Sequence, residues 1–335
     1  MRVNIVSQVP ADIWLRELPA LGSMEMIHSD VPIPADVHVI YGLRTKILVP
    51  NTAANTIFVA SEPPEIRRYN LQVLSKYRAV LGPGYSYLVD LPNYWKVSAI
   101  CPWWVGSRAG GEQHYDPKRM RISLSRESLV AGFEPDNDIL SVIVSGKTRT
   151  PMQQQRLRLV DSLLHKIPSM EVFGFNYKEL LDKKDALINS RYHLAVENSC
   201  HAGYWTEKLA DPILMNNVVF YAGDPTIHRS FDSGSVIRVN PYDQEGTYRE
   251  IASRMSEERW EKSEPARLGN RTLLLENLSF HRSLERFLID NTFAPNNGNH
   301  FHIPAQNPAN RFKKSFDPIY RQLIRGVGRR PVGKG

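Results

Sequence analysis

The densest chemistry in the chain lies between Tyr192 and Pro225, which reads YHLAVENSCHAGYWTEKLADPILMNNVVFYAGDP. An apolar strand here delivers Glu197-Asn198-Ser199 at its carboxyl end, and a polar loop with Gly203 follows. Thr206 then has the side chain to cap a helix that begins at Glu207. The free N–H groups and positive dipole end of such a helix favour an anion, and Lys208 in the first turn adds a full charge. Glu207 can accept hydrogen bonds from hydroxyls such as a ribose diol, while Asn198 and Tyr204 offer neutral polar contacts. Together these groups suit a nucleoside diphosphate. On spacing alone, an ordinary strand–loop–helix crossover with polar ends fits equally well. Pro212 shortens or bends the helix, because a proline inside it removes a hydrogen bond.

The elements that must position these groups alternate in type. Val3–Val6, Val37–Tyr41 and Thr56–Ala60 read as buried strands, Arg68–Tyr77 has helical spacing, and Ala79–Leu81 reads as a strand closed by Gly82-Pro83-Gly84. Residues 107–137 read as a linker. A second series follows: strands at Leu140–Val144, Glu171–Phe175, His193–Val196, Val218–Tyr221 and Val236–Val239, and helices at Gln153–Ile167, Glu179–Leu187 and Glu207–Met215. Residues 243–289 are helix-rich, with Arg271–Leu288 as one helix, and 291–310 is an Asn- and Pro-rich loop. Strands alternating with helices imply βαβ units and parallel sheets. The expected fold is α/β, with two Rossmann-like domains facing a cleft and a C-terminal helical extension. Ligands of open parallel sheets bind beyond the carboxyl ends of the strands. The expected division is 1–137 (acceptor side), 138–260 (donor side), 261–290 (helical segment) and 291–335 (loop and tail).

Composition narrows the class. The chain has 335 residues, 42% of them hydrophobic, enough to bury a core in each half. Cys101 and Cys200 are its only cysteines and match no zinc or redox spacing. The N-terminal residues form no apolar stretch of signal-peptide length, and no window approaches the roughly 18–20 apolar residues of a membrane span. A soluble cytoplasmic protein is expected. No G-x-G-x-x-G or Walker A pattern appears, so dinucleotide oxidoreductases and P-loop enzymes lose support. His114, His193, His201, His300 and His302 show no metal-ligand spacing.

The net charge is +7, and residues 311–335 hold eight basic side chains against Asp317 alone, so the rest of the chain sums to zero. A neutral body argues against nucleic-acid binding as its task. The tail interleaves its cations with Phe312, Phe316, Ile319, Tyr320, Leu323 and Ile324. That pattern fits a basic amphipathic helix on an anionic membrane surface, and equally a solvated tail.

The residues around Glu207 resemble the signature of the α-1,3/4-fucosyltransferases, glycosyltransferase family 10. That pattern appears here as Ala195-Val196-Glu197-Asn198-Ser199, then Tyr204-Trp205-Thr206-Glu207-Lys208-Leu209, then Gly223-Asp224-Pro225. Upstream, Ser141–Lys147 resembles the family strand ending in Ser-Asn-Lys, with Gly146 in place of Asn, and Arg156 matches the arginine that pairs with the donor diphosphate. The likeness covers 56–106 loosely and 139–227 well. It implies a GT-B type enzyme that transfers fucose from GDP-fucose to a glycan acceptor. Asn198, Tyr204, Glu207 and Lys208 would bind the donor, with Lys208 on the phosphates and Glu207 on the ribose. Arg156 would neutralise the leaving group. Glu62, in Ser61-Glu62-Pro63-Pro64, matches the proposed general base; Glu65 is the local rival, and a solvated loop carboxylate is the plain alternative. No metal or other cofactor is expected, since basic residues and a helix end balance the leaving diphosphate. Pro102-Trp103-Trp104 is similar to a family segment near the domain junction and reads as core or hinge packing. Val218-Val219-Phe220 departs from the Val-Pro of many members, which leaves the transferred sugar open to another GDP- or UDP-sugar. A non-catalytic nucleotide-sugar-binding protein is the other alternative.

Overall fold

The computed structural model describes residues 1–17, 24–42, 46–108, 120–174, 176–293 and 299–303. The basic tail, His114 and Phe175 lie outside them.

The first half carries β1 (Arg2–Val6), α1 (Ala11–Leu15), β2 (Glu25–Ser29), β3 (Val37–Tyr41), β4 (Ile47–Val49), β5 (Thr56–Val59), α2 (Leu71–Leu74), β6 (Ala79–Gly82) and β7 (Tyr94–Lys96). Six of these strands form one parallel sheet in the order β2-β1-β3-β5-β6-β7. Its core strands are almost wholly buried, as expected of a parallel sheet covered on both faces. The helix expected over Arg68–Tyr77 is only the single turn α2. Asn70 stops it from extending backwards, because its side chain accepts from the Gln72 N–H as a cap.

The chain then crosses to the second half through 97–106. The expected linker contains the paired strands β8 (Ser107–Arg108) and β9 (Arg121–Ile122), followed by α3 (Arg126–Ala131). The second half holds β10 (Leu140–Val144), α4 (Pro151–Leu164), β11 (Met170–Gly174), α5 (Lys183–Leu187), β12 (Tyr192–Val196), α6 (Glu207–Leu214), β13 (Val218–Ala222) and β14 (Val236–Arg238). All five strands are parallel, in the order β11-β10-β12-β13-β14. Tyr192, Leu194 and Val196 of β12 pack with Leu159, Val160 and Leu163 of α4 on one face. Ala195 packs with Leu209, Ala210 and Ile213 of α6 on the other. This period-2 division makes a helix–sheet–helix sandwich.

The last described elements are α7 (Gln244–Arg254), α8 (Glu257–Lys262), α9 (Glu264–Glu276), α10 (Phe280–Ile289) and β15 (Phe301–Ile303), which pairs with β4. The single helix expected over Arg271–Leu288 is two, broken at Asn277–Ser279. Ser279 accepts from the Arg282 N–H and starts α10 afresh. The break lets α10 return to the first half, where Phe280, Leu284, Phe287 and Leu288 pack against Val3, Ile5, Val39 and Leu81. Each such buried side chain contributes roughly 1.5–3 kcal/mol. No described helix is long and apolar enough to cross a membrane.

Both sheets therefore have a switch point, between β1 and β3 and between β10 and β12, where connections leave in opposite directions. Crevices at such points bind ligands.

Candidate active site in the cleft between the halves

A cavity of about 630 Å³ lies where the two switch points meet. The first half lines it with Ser7 beyond β1, Tyr41 and Gly42 at the end of β3, and Ser61 and Glu62 beyond β5. The second half lines it with Val144 and Ser145 ending β10 and with Val196 and Asn198 at the end of β12. Arg156, Tyr204, Glu207 and Lys208 also line it, so every predicted site residue meets this one space. Its basic side chains are Arg67, Lys147, Arg156, Lys183 and Lys208, against the acids Glu62, Glu207 and Asp211. The lining is thus cationic, which suits a diphosphate.

Arg156 comes from the second turn of α4. Thr150 and Gln153 cap that helix reciprocally, and Pro151 sits at its first position. The guanidinium donates to Ser145 O (3.2 Å), Ser145 Oγ (3.1 Å) and Asn198 Oδ1 (3.3 Å). Asn198 also accepts from Gln153 Nε2, and Thr150 Oγ1 donates to the Asn198 carbonyl. Arg156 and Asn198 thus hold each other across the ends of β10 and β12. Arg158 points to solvent.

Lys208 opens into the cavity from the first turn of α6. Thr206 caps this helix, as its spacing predicts. The ammonium lies 3.0 Å from Glu207 Oε1, 3.2 Å from Thr206 Oγ1 and 3.6 Å from Glu197 Oε2. Burial lowers its pKa, but Glu207 and Glu197 outweigh burial and keep it firmly charged. Burial pushes the Glu207 carboxyl up, but Lys208 and Lys183 overcome this and hold it at about 2. Glu207 is therefore an ionised acceptor across the working pH range. Lys183 is not singled out by its spacing, since it falls inside the helix expected over Glu179–Leu187, which the structure starts at Lys183. Its ammonium lies 2.7 Å from Asp211 Oδ2 and 3.8 Å from Glu207 Oε1.

Glu197 is completely buried and does not line the cavity. Its carboxylate accepts from Thr206 N (2.8 Å) and Thr206 Oγ1 (2.8 Å), tying the end of β12 to the start of α6. Gly223 follows from this: a Cβ there would come within 2.6 Å of Glu197 Cγ. The motif glutamate and glycine thus build the loop rather than meet ligand.

Tyr204 is almost fully buried. It packs with Tyr85, Phe58 and Ile40 of the first half, and burial raises its phenol well above the usual range. Beside it, Glu65 accepts from Ser199 Oγ (2.7 Å) and His201 Nε2 (3.0 Å), across the cleft. Burial raises the Glu65 pKa, but these two hydrogen bonds bring it below its ordinary value. Gly84 N donates to Ala202 O, and Gly203, at φ +77°, lies where a Cβ would be 2.7 Å from Ser98 Oγ. The loop 199–205 is therefore held by both halves. Glu62 is half-buried and lines the cavity, and its backbone N–H donates to the Tyr69 hydroxyl. Glu65 is committed to the loop, whereas the Glu62 carboxylate makes no hydrogen bond or ion pair among the described residues.

His193 also lines the cavity. Its Nδ1 is 2.9 Å from Ser141 Oγ, and burial lowers its pKa to about 3. His300 and His302 are exposed, and among the described residues no three His, Cys, Asp or Glu groups are placed to hold a metal ion. A second cavity of about 770 Å³ adjoins the first at Asn198 and runs past Thr150, Arg238 and Tyr242.

Residues 137–260 match the profile of glycosyltransferase family 10 (fucosyltransferase), C-terminal part. This matching segment holds β10–β14 and Arg156, Asn198, Tyr204, Glu207 and Lys208. No curated protein matches the chain in sequence. Among solved structures, an α1,3-fucosyltransferase with GDP is 13% identical with a TM-score of 0.46, covering 84% of this chain and 92% of its own. The same kind of enzyme with GDP-fucose is 15% identical with a TM-score of 0.46, covering 88% and 93%. A glycosyltransferase from Rickettsia africae is 10% identical with a TM-score of 0.44, covering 86% and 97%.

Proposed function

We propose that this protein transfers fucose from GDP-fucose to a hydroxyl of a glycan acceptor, forming an α-1,3/4 linkage with inversion at the anomeric carbon. The single observation that carries this reading is the convergence of Arg156, Asn198, Glu207 and Lys208 on one cationic cavity at the switch point of a segment matching family 10. On this reading residues 138–260 form the donor side and residues 1–137 the acceptor side.

Arg156 and Lys208 grip the diphosphate, and the N-terminal turn of α6 adds its dipole. Glu207 accepts from the ribose hydroxyls. Glu62 takes the proton from the acceptor hydroxyl, whose oxygen forms the new bond to the anomeric carbon. The bond from that carbon to the β-phosphate oxygen breaks, and GDP leaves with the electron pair. The protein's own cations neutralise the charge that develops, so a divalent ion is not essential in this scheme. Residues 311–335 would hold the enzyme against an anionic membrane surface on the cytoplasmic side.

Calorimetric titration with GDP, GDP-fucose, GDP-mannose and UDP tests the donor half. GDP and GDP-fucose should bind, and Arg156→Ala and Lys208→Ala should each weaken them more than about tenfold, or roughly 1.4 kcal/mol. Glu62→Ala should keep donor affinity and lose more than about tenfold in turnover. Binding of UDP without GDP would discard fucose; wild-type affinity in both cation variants would discard the phosphate site.

A further inference from the structure

Asp211 is almost fully buried on α6, one residue before Pro212. Its Oδ1 accepts from the Trp104 N–H at 2.9 Å, and Trp104 belongs to the crossover that carries the chain from the first half to the second. Its Oδ2 meets Lys183 Nζ at 2.7 Å. The same ammonium stands 3.8 Å from Glu207 Oε1. On the same short segment, Asp182 Oδ1 accepts from the Gly106 N–H at 3.0 Å, a second tie between α5 and the crossover. A continuous row of charges therefore runs from the inter-half crossover through Asp211 and Lys183 to Glu207. All three of its side chains line the cavity.

We propose that Lys183 is a positioning residue of the donor site: it fixes the Glu207 carboxylate in its ionised, acceptor-only state and ties its aim, through Asp211, to the crossover between the halves. Chemistry supports the division of labour. Lys208 is shared between Glu207, Glu197 and Thr206 and is needed for phosphate; when it turns toward a bound diphosphate, Lys183 is the counter-ion left to Glu207 among the described residues. Without that cation this half-buried carboxylate takes up a proton or rotates away, and a carboxylic acid is a poorer acceptor for a ribose diol. Lys183→Gln keeps a polar side chain, one atom shorter, and removes its charge; Lys183→Arg keeps the charge.

The inference rests on the reading of Glu207 as the group that meets ribose, so the test separates the two. Titrate wild type, Lys183→Gln and Lys183→Arg with GDP and with 2′-deoxy-GDP, and with inorganic pyrophosphate as a control for the phosphate site. Wild type should prefer GDP over the 2′-deoxy nucleotide by about tenfold, the size of one charge-assisted hydrogen bond. Lys183→Gln should cut that preference to threefold or less, with pyrophosphate affinity within about twofold of wild type, and Lys183→Arg should restore it. A merely structural role would weaken both nucleotides in parallel and leave the ratio alone. Full preference in Lys183→Gln overturns the proposal while leaving the donor site standing. No preference in wild type overturns the ribose reading of Glu207 and the role of Lys183 together. If Lys183→Gln does not fold, Asp211→Asn replaces it, since it keeps the cation and releases its anchor. The preference should then fall at least threefold, and an unchanged ratio overturns the proposal.

Discussion

Three glutamates within reach of one cavity have three different tasks, and their surroundings assign them. Glu197 is enclosed and bonded to Thr206, with Lys208 at 3.6 Å; Glu207 is clamped between two lysines; Glu62 lines the cavity, and its carboxylate has no partner among the described residues. Stability should sort them accordingly. Glu197→Ala leaves Lys208 and the Thr206 N–H without their buried partner and should cost about 3 kcal/mol or more in urea unfolding. Glu62→Ala should stay within about 0.5–1 kcal/mol of wild type. A small loss at Glu197 would mean that the loop does not depend on it. At this scale the sequence was informative about residue type and mute about partners. Thr206 was legible as a cap from local pattern. Lys183 and Asp211 were not, because their meaning comes from contacts with Glu207 and Trp104 that no spacing encodes.

Elements that bridge the halves fix the geometry of the cleft. The loop 199–205 is clasped by Glu65, Gly84 and Tyr85, and α10 crosses back to cover the first sheet. At that second junction Glu17, just beyond α1, accepts from the Trp103 N–H at 2.6 Å. Its other oxygen lies 4.0 Å from His281 Nδ1 of α10, and His281 is in turn 2.8 Å from His28. Burial raises the Glu17 carboxyl to about 8, against relief from the Trp103 N–H and from Arg16. An acid with a raised folded pKa binds more protons folded than unfolded. From its ordinary 4.5 up to about 8, its contribution to stability therefore falls as pH rises. Burial holds His28 down to about 4, His193 down to about 3, and His38 and His281 below 6.5, so these histidines bind more protons unfolded than folded and add an opposite slope near pH 6.5 that fades towards pH 8. Between pH 6.5 and 8 the wild-type melting temperature should accordingly fall relative to that of Glu17→Gln, in which the histidine contribution is unchanged. An identical slope in the variant would remove Glu17 as its source. Strands were the most legible elements, since buried parallel runs such as Leu140–Val144 need no partner to be seen. Helix ends were the least: Asn70 and Ser279 act as caps in the structure, but each sits inside a helical apolar pattern that runs past it.

For the whole molecule, two parallel sheets with the same switch topology place both ligand-binding crevices on one cavity. The alternation of strands and helices made this architecture readable in advance. The return of α10 to the first half was not, because a helix's apolar stripe does not say which sheet it covers. Within the frame, the donor-side groups come from α4, α6 and the end of β12, and Glu62 stands on the opposite wall. The most direct measurement is a crystal structure of the protein with GDP. The account predicts the diphosphate between the Arg156 guanidinium and the Lys208 ammonium, with ribose hydroxyls on Glu207. GDP seated instead in the second cavity beside Arg238 and Tyr242, with Arg156 and Lys208 untouched, would contradict it.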